Sequence, residues 1–345
     1  MEKLYIGTYC NGGEDSLFAA IFDEESGSLT ITGASGQVDN PSYLAVGRNG
    51  LLYAVSETDE FAGHLHSGGV AMLQAGENSF ELLDAKATLG GAPCHILLEE
   101  ERSMLFVSNY FGGSISAFEI HLDAHRLHLA QQIQHRGSGP NPLRQESAHV
   151  HFCGFVGGRL CGADLGLDTL KCYRLDQCGL VPDTPGDIYM PKGSGVRHFI
   201  TSKLYPNTLL AVCELSSEVM IIDTKPQGGV ILQRLSTLPS ACESTCAAIK
   251  QSKDGRYVFA SNRGHDSIAV IALEPEGRKM RLVDIVKCEG KTPRDLLVLE
   301  KHILVCNQDS NDITIFTFDP TNGGVKFTGE KVECPKPACI TTAKG

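Results

Sequence analysis

The stretch Val258-Phe259-Ala260-Ser261-Asn262 is a short apolar run that stops on an asparagine. The same pattern, several apolar residues followed by a small polar or acidic residue, recurs six more times. Its other copies are residues 4–8, 52–56, 105–109, 160–164, 210–214 and 303–307. The copies end about 45 to 55 residues apart, a spacing typical of repeat proteins. Short runs rich in Val, Ile, Phe and Tyr are typical of strands, so each copy predicts one strand of a repeated unit.

Further strand signals surround each copy. Upstream runs, which predict a first strand, lie at residues 41–44, 93–96, 148–151, 196–199, 245–248 and 293–296. The dipeptides Asn49-Gly50 and Asp254-Gly255 predict tight hairpins between the first and second strands. Third strands are predicted at residues 69–73, 115–120, 169–175, 219–222, 268–273 and 313–318, and Gly-containing turns at 25–27, 177–179, 227–229, 275–277 and 322–324. With a fourth, outer strand after each turn, the unit is a four-stranded antiparallel sheet.

The two ends of the chain complete the repeat. Residues 337–340 match the first-strand pattern, and residues 4–8 match the second-strand pattern. Pairing of the N- and C-terminal segments in one blade would remove the exposed sheet edge of an open array. Long helical periodicity is missing, which disfavours a parallel α/β sheet. We therefore predict an all-β fold, a seven-bladed β-propeller of four-stranded antiparallel blades, forming a single domain over residues 1–345.

Composition restricts the partners. The formal net charge is −11, which argues against nucleic acid because phosphate binding requires clustered Lys and Arg. No apolar run approaches the ~20 residues that span a membrane, and residues 1–6 lack a secretory pattern. The thirteen cysteines show no paired zinc spacing, and scattered thiols suggest a reducing compartment. We expect a cytoplasmic protein that is a monomer or a weak homodimer.

Two positions of the repeat point to a site. The loop that enters the first strand and the loop that leaves the second open on the same face of a propeller. Start positions, at the first strand, are Ser42, Cys94, His149, Arg197, Cys246, Arg294 and Ala338; end positions, at the second strand, are Thr8, Ser56, Asn109, Asp164, Glu214, Asn262 and Asn307. Tyr9, Glu57, Tyr110 and Arg263 are among the residues that follow the end positions. These side chains should converge on one mouth of the channel.

The charged members of this set suit acid–base chemistry on an anionic substrate. His149 can act as a base or an acid near neutral pH, and Glu214 is a second candidate acid or base, while Arg197 and Arg263 could bind a carboxylate or phosphate or stabilise an oxyanion. Together they suit hydrolysis or closure of a lactone, a small-molecule partner. Further predicted substrate-binding residues are His151, Asp164, Asn109, Tyr110, Tyr43, Glu57, Arg294 and Asn307. No cofactor and no metal is predicted.

Several motifs carry a resemblance over essentially the whole chain. They are Asn40-Pro41-Ser42-Tyr43-Leu44, Ala92-Pro93-Cys94-His95, Phe106-Val107-Ser108-Asn109-Tyr110, Ala163-Asp164-Leu165-Gly166, Arg197-His198-Phe199, Cys213-Glu214-Leu215 and Ala260-Ser261-Asn262-Arg263-Gly264. They resemble the seven-bladed propeller lactonases, a family that includes bacterial 6-phosphogluconolactonases and the fungal carboxy-cis,cis-muconate cyclase. The fungal enzyme's proposed His, two Arg and Glu fall here on His149, Arg197, Arg263 and Glu214.

The resemblance implies a carboxylic ester hydrolase that opens a sugar-acid lactone, with 6-phosphogluconolactone, a pentose phosphate pathway intermediate of carbohydrate metabolism, as the leading substrate. The chain departs from the family at two places, Ala148-His149 and Gly195-Val196-Arg197. In the family a proline usually stands directly before this histidine and this arginine. Both departures retain the charged residue.

The same residues also fit different roles. A related enzyme that isomerises a muconate-type lactone would use the same site, and a propeller could serve as a non-enzymatic interaction platform. Arg197 and Arg263 could instead bridge blades through ion pairs to Glu214, Asp164 or Glu57. His149 and His151 could form a metal pair with Asp164 or Glu214. The recurring Asn109, Asn262 and Asn307 could simply cap turns, and His64 and His66 fit an exposed loop.

Overall fold

The strands of the repeat pair in seven antiparallel sheets. The computed structural model describes residues 1–177, 179–184 and 186–344. This part of the chain has 31 strands and three short 3-10 helices, at Glu100–Arg102, Leu122–Ala124 and Pro275–Gly277. Each large sheet is called a blade, numbered 1 to 7 by the order of its second strand along the chain. Contacts between its residues divide the chain into two compact units.

The first unit comprises Met1–Gly137, Ser147–Cys153 and the described part of Cys334–Gly345. It holds blades 1 to 3. Blade 1 consists of β1 (Glu2–Thr8), β2 (Leu17–Asp23), β3 (Ser28–Ser35) and β31 (Pro337–Thr342). Blade 2 consists of β4 (Leu44–Val46), β5 (Leu51–Ser56), β8 (Gly69–Ala75) and β9 (Phe80–Ala87), with a small hairpin of β6 (Glu60–Phe61) and β7 (His64–Leu65). Blade 3 consists of β10 (Pro93–Glu99), β11 (Met104–Asn109), β12 (Ser114–His121) and β13 (Arg126–Gln134).

Blade 1 is built from both ends of the chain, as predicted. Strand β1 pairs with β2 on one side and with β31 on the other, and Ile6 lies opposite Ile340 in the second pair. Gly7 permits the close approach of the segment before blade 2, because a Cβ at that position would overlap the carbonyl oxygen of Pro41. Pairing with β31 supplies β1 with hydrogen-bond partners on both edges.

The second unit comprises Ser138–Glu146 and Gly154–Glu333. Strand β14 (Val150–Val156) begins blade 4, which continues with β15 (Arg159–Asp164), β16 (Thr169–Asp176), β17 (Gly179–Pro182) and β18 (Ile188–Tyr189). Blade 5 consists of β19 (Val196–Thr201), β20 (Thr208–Cys213), β21 (Glu218–Asp223) and β22 (Val230–Ser236). Blade 6 consists of β23 (Thr245–Gln251), β24 (Tyr257–Arg263), β25 (Ser267–Leu273) and β26 (Met280–Lys287). Blade 7 consists of β27 (Pro293–Val298), β28 (His302–Asn307), β29 (Asp312–Asp319) and β30 (Gly324–Glu333).

Blade 4 differs from the predicted four strands. Its outer strand is split, so that β17 pairs with one half of β16 and β18 pairs with the other half. Strand β17 ends at Pro182 and β18 begins at Ile188, so the two halves of the outer strand are separate. The turn predicted at residues 177–179 includes Cys178, which lies outside the described residues. The β6–β7 hairpin was not predicted either, although His64 and His66 are exposed there as expected.

Apolar clusters join neighbouring blades within each unit. In the first unit one cluster includes Tyr5 and Leu17 of blade 1 together with Leu52 and Leu73 of blade 2. In the second unit, equivalent clusters lie between blades 5 and 6 and between blades 6 and 7. Close packing between blades holds the ends of the inner strands, where the charged residues lie, in fixed positions.

Candidate functional site

Three of the four predicted catalytic residues meet in the second unit. Arg197 is the second residue of β19, Glu214 directly follows β20, and Arg263 is the last residue of β24. These are the start, end and following positions of the repeat, and the twist of blades 5 and 6 brings them to a common point. Glu214 lies at the centre of this group.

The Glu214 carboxylate contacts both predicted arginines. Its Oε2 atom lies 3.0 Å from Nε of Arg197 and 2.8 Å from Nη2 of Arg263. Backbone oxygens hold the same guanidinium groups, since Arg197 donates to Ala247 at 2.7 Å and Arg263 donates to Cys246 at 3.0 Å. The positions of both arginines are therefore fixed by blade 6 as well as by the ion pair.

A third guanidinium, absent from our prediction, reaches the same carboxylate. Nη2 of Arg144 lies 2.5 Å from Oε1 of Glu214. Arg144 belongs to residues 138–146, a segment between two blades that carries no repeat pattern. The available signal was a Gly- and Pro-containing stretch with a single basic residue before an inner strand, which is weak evidence by itself. We name Arg144, Arg197, Glu214 and Arg263 the arginine cluster.

The arginine cluster concentrates positive charge in a protein that is acidic overall. Its four side chains together carry three positive charges and one negative charge, against a net charge of −11 for the chain. Glu214 is only 3% exposed, and three guanidinium groups contact its carboxylate. In such a buried setting, electrostatic interactions are stronger than in water. The cluster can therefore bind an anion or stabilise an oxyanion.

His149 lies in the first unit, directly before β14, and is oriented by Tyr110. Nδ1 of His149 lies 3.1 Å from the carbonyl oxygen of Tyr110, and the two rings stack with centroids 4.5 Å apart. A carbonyl oxygen can only accept, so Nδ1 carries the hydrogen, and in the neutral ring Nε2 carries the lone pair. This tautomer is the one required for a base that acts through Nε2.

Aromatic and imidazole rings surround this position. The ring of His151 makes an edge contact with Tyr110, and its Nδ1 lies 3.7 Å from Sγ of Cys94. Tyr43, another predicted substrate-binding residue, packs on the ring of His95 at 4.4 Å. The rings of His149 and His151 thus both contact Tyr110.

Glu57, itself a predicted mouth position, bonds to two others in blades 1 and 2. Its Oε2 atom accepts hydrogen bonds from the hydroxyl of Tyr9, at 2.7 Å, and from the hydroxyl of Ser42. A start position of the repeat and residues that follow end positions therefore lie together in the first unit as well as in the second. Arg294 is the second residue of β27 and is half-buried.

Three other predicted substrate-binding residues bond within their own turns. Nδ2 of Asn109 donates to the hydroxyls of Ser114 and Ser116, and Nδ2 of Asn307 bonds in the same way within blade 7. The Asp164 carboxylate accepts the backbone N–H of Leu167. These contacts favour a structural role, in which the recurring residues cap turns.

The described residues contain no arrangement of side chains that supports metal binding. Among residues 1–177, 179–184 and 186–344, no group of three or more His, Cys, Asp or Glu side chains could hold an ion. The short 3-10 helices of this part of the chain also lack the length and hydropathy of a membrane-spanning helix.

A surface cleft of about 190 Å³ lies elsewhere in the second unit. It is lined by residues of blades 5 and 6 that include Tyr205, Asp223 and Arg278. None of the predicted site residues is among those that line it. The cleft and the arginine cluster are therefore different features of the same unit.

Known proteins resemble this chain over its full length. Residues 3–342 match the family described as Lactonase, 7-bladed beta-propeller. A 6-phosphogluconolactonase of Bacillus subtilis is 30% identical, and the alignment covers 97% of each chain. The structure of a periplasmic gluconolactonase from Pseudomonas aeruginosa has a TM-score of 0.87 and 27% identity, covering 99% of this chain and 98% of that one. A protein from Lactobacillus plantarum has a TM-score of 0.90 and 28% identity, covering 99% of both chains.

Proposed function

Because this chain belongs to the lactonase family of seven-bladed β-propellers, we propose that it hydrolyses the lactone of a sugar acid. The proposed substrate is 6-phosphogluconolactone, which would place the protein in the pentose phosphate pathway of carbohydrate metabolism. The name of the Bacillus subtilis relative supports this choice. No cofactor is required, since water is the second reactant.

The arginine cluster is the observation that supports the reaction. In lactone hydrolysis water adds to the carbonyl carbon, negative charge develops on the carbonyl oxygen, and the ring C–O bond then breaks to leave a hydroxyl and a carboxylic acid. Guanidinium groups fixed before the reaction stabilise the developing charge without reorganisation. Arg197 and Arg263 are fixed in this way, because each is bound both to Glu214 and to a backbone oxygen.

Glu214 serves in this proposal to position the arginines. Both of its carboxylate oxygens accept guanidinium contacts, Oε1 from Arg144 and Oε2 from Arg197 and Arg263. A carboxylate whose two oxygens already accept guanidinium contacts is poorly placed to accept a proton from water as well. The proton of the attacking water is therefore assigned to His149, whose Nδ1–H bond to Tyr110 leaves the lone pair on Nε2. That His149 acts on the same substrate stays a prediction from the sequence.

Turnover of purified 6-phosphogluconolactone, measured against its spontaneous hydrolysis, tests the proposal. We expect His149→Ala to lower kcat about 100-fold or more, since a positioned base contributes at least that much. Arg197→Gln should lower kcat by about 100-fold through loss of an oxyanion contact. His128→Ala, which changes an exposed histidine of β13, is the matched control and should retain full activity.

Two outcomes would contradict this function. A wild-type rate equal to the spontaneous rate would remove the proposed activity. Unchanged kcat in both His149→Ala and Arg197→Gln, with turnover present, would place the site elsewhere. Turnover of a muconate-type lactone in place of the sugar lactone would favour the cycloisomerase alternative.

The cytoplasm is the proposed location, on the composition of the sequence. The Pseudomonas aeruginosa relative is named as periplasmic, and Cys161 and Cys172 form a disulfide here. This disulfide differs from the scattered thiols from which the sequence analysis inferred a reducing compartment. A small anionic lactone is the proposed partner, and the proposed assembly is a monomer or a weak homodimer.

A further inference from the structure

Arg144 has a position in the arginine cluster that differs from those of Arg197 and Arg263. The side chain of Arg144 is 39% exposed, whereas those of Arg197 and Arg263 are 4% and 16% exposed. All three contact the same carboxylate. Arg144 is consequently the guanidinium that a ligand approaching from solvent meets first.

We propose that Arg144 is a specificity-determining residue that binds the phosphate monoester of the substrate. The proposal rests on the lactone hydrolysis proposed above, because it assumes that the buried arginines receive the lactone carbonyl. A guanidinium matches the oxygens of phosphate with two parallel N–H donors. Arg144 would thus distinguish a phosphorylated sugar lactone from one without phosphate.

The backbone beside Arg144 is held rigidly. Gln145 is completely buried, and its Nε2 donates to the carbonyl of Leu165 and to Oδ1 of Asp168, both at 2.8 Å. Its backbone N–H donates to the carbonyl of Asn141 at 2.7 Å. An ordinary surface arginine loses considerable rotamer freedom when it binds a ligand. Because Gln145 and the ion pair to Glu214 already restrain Arg144, this loss is smaller here.

Asp168 connects the same segment to the rest of the arginine cluster. Its Oδ1 also accepts the backbone N–H of Gly195 at 2.7 Å, and its Oδ2 accepts that of Gly193 at 2.7 Å. The carbonyl of Gly195 in turn accepts the backbone N–H of Glu214 at 2.7 Å. One buried carboxylate therefore fixes the chain next to Arg144, next to Glu214 and two residues before Arg197.

This arrangement suits a substrate with two separate charged points. The buried arginines face the carbonyl oxygen, which becomes negative only during the reaction. A phosphate carries its charge throughout, so its contact with Arg144 contributes equally to the ground state and the transition state. Such uniform binding lowers KM and leaves kcat unchanged. The expected kinetic signature of Arg144 is therefore different from that of Arg197.

The test compares 6-phosphogluconolactone with glucono-1,5-lactone, which lacks the phosphate. Arg144→Gln should raise KM for the phosphorylated lactone about 10-fold or more, the effect expected from losing a charged hydrogen bond. Any change in kcat should be the same for both lactones, and KM for glucono-1,5-lactone should rise at least about fivefold less, since that substrate has no phosphate for Arg144 to bind. Arg144→Lys should restore part of the KM, because lysine keeps the charge without the paired donors.

Arg234→Gln is the matched control. Arg234 is 48% exposed and its Nη2 lies 2.7 Å from the carboxylate of Glu218 in blade 5, so it loses a similar ion pair. It should leave both lactones unaffected. Equal KM changes for the two lactones in Arg144→Gln, or none for either, would overturn the proposal, since Arg144 would then only neutralise Glu214.

Failure of the proposed function gives a different result. If wild-type protein hydrolyses neither lactone, titration calorimetry with 6-phosphogluconate and with inorganic phosphate still reports on Arg144. Binding that weakens about 10-fold in Arg144→Gln but not in Arg234→Gln would support the phosphate contact. Absence of binding to the wild type, or equal binding to both variants, would reject it.

Discussion

Among single residues, Asp168 has a structural role that the repeat pattern does not reveal. It is 1% exposed and has φ of 54°, a left-handed conformation that aspartate tolerates better than most residues. Its carboxylate accepts four hydrogen bonds, from the backbones of Gly193 and Gly195, from Gln145 and from the hydroxyl of Ser194. All of these partners are donors, so the site requires a group that only accepts.

Asp168→Asn should therefore destabilise the protein. The amide would point an N–H₂ group at one of the existing donors and leave it without an acceptor, at a cost of about 1–3 kcal/mol. Urea denaturation followed by circular dichroism measures the free energy of unfolding. The exposed Asp123→Asn serves as control and should change it by less than about 0.5 kcal/mol. Equal stability of the two variants would show that Asp168 is not needed to hold these loops.

The residues of the arginine cluster also differ in whether the repeat pattern could predict them. Glu214, Arg197 and Arg263 were found because each lies at a fixed position of a repeated unit. Arg144 could not be found in this way, since it belongs to a connecting segment outside the repeat. Its proximity to Glu214 depends on buried hydrogen bonds of Gln145, and no local pattern reports such long-range contacts.

At the level of strands, blade 4 shows what the repeat allows to vary. Its outer strand is divided into β17 and β18, while its inner strands keep the standard antiparallel pairing. The inner strands carry the site residues and pack between blades, whereas the outer edge is subject to fewer constraints. Cys161 of β15 and Cys172 of β16 lie directly opposite each other, with Cα atoms 4.2 Å apart.

The disulfide between these two strands leads to a prediction about the number of reactive thiols. Protein denatured without reductant should show two fewer reactive thiols than protein denatured after reduction, as counted with a thiol-specific chromogenic reagent. The expected difference follows from the disulfide between Cys161 and Cys172. The double variant Cys161→Ala/Cys172→Ala is the control and should show no difference between the two treatments. The same thiol count before and after reduction in the wild type would mean that the pair is reduced, as a cytosolic location favours.

For the whole molecule, the burial of thiols makes the free energy of unfolding depend on pH in the alkaline range. Burial raises the pKa of the Cys153 thiol to about 12, and the same cause raises the pKa of Cys246 to about 12. In the unfolded chain these thiols ionise near their ordinary pKa, about 8.5. The unfolded state therefore binds fewer protons than the folded state between about pH 9 and pH 12. Stability is complete below this range and falls as the pH rises through it.

The contribution of one thiol can be isolated by mutation. Each buried thiol should lower the free energy of unfolding by about 1.4 kcal/mol per pH unit in this range. Urea denaturation at pH 8, 9 and 10 should consequently show a shallower pH dependence for Cys153→Ala than for the wild type. Cys242 is exposed, so Cys242→Ala should keep the wild-type slope. Identical slopes for all three proteins would show that Cys153 is not protected from ionisation by burial.

The architecture was predictable from the sequence because its information is local and repeated. Alternating apolar runs, turns such as Asp254-Gly255 and the incomplete patterns at residues 4–8 and 337–340 each specify strands within a few residues, and seven copies give the same result. The repeat also assigned Glu214, Arg197 and Arg263 to equivalent strand ends. Only the tertiary structure shows which arginines contact Glu214, which tautomer His149 adopts and that Arg144 takes part. These features arise from contacts between residues far apart in sequence, and such contacts form only when packing brings separate strands and loops together.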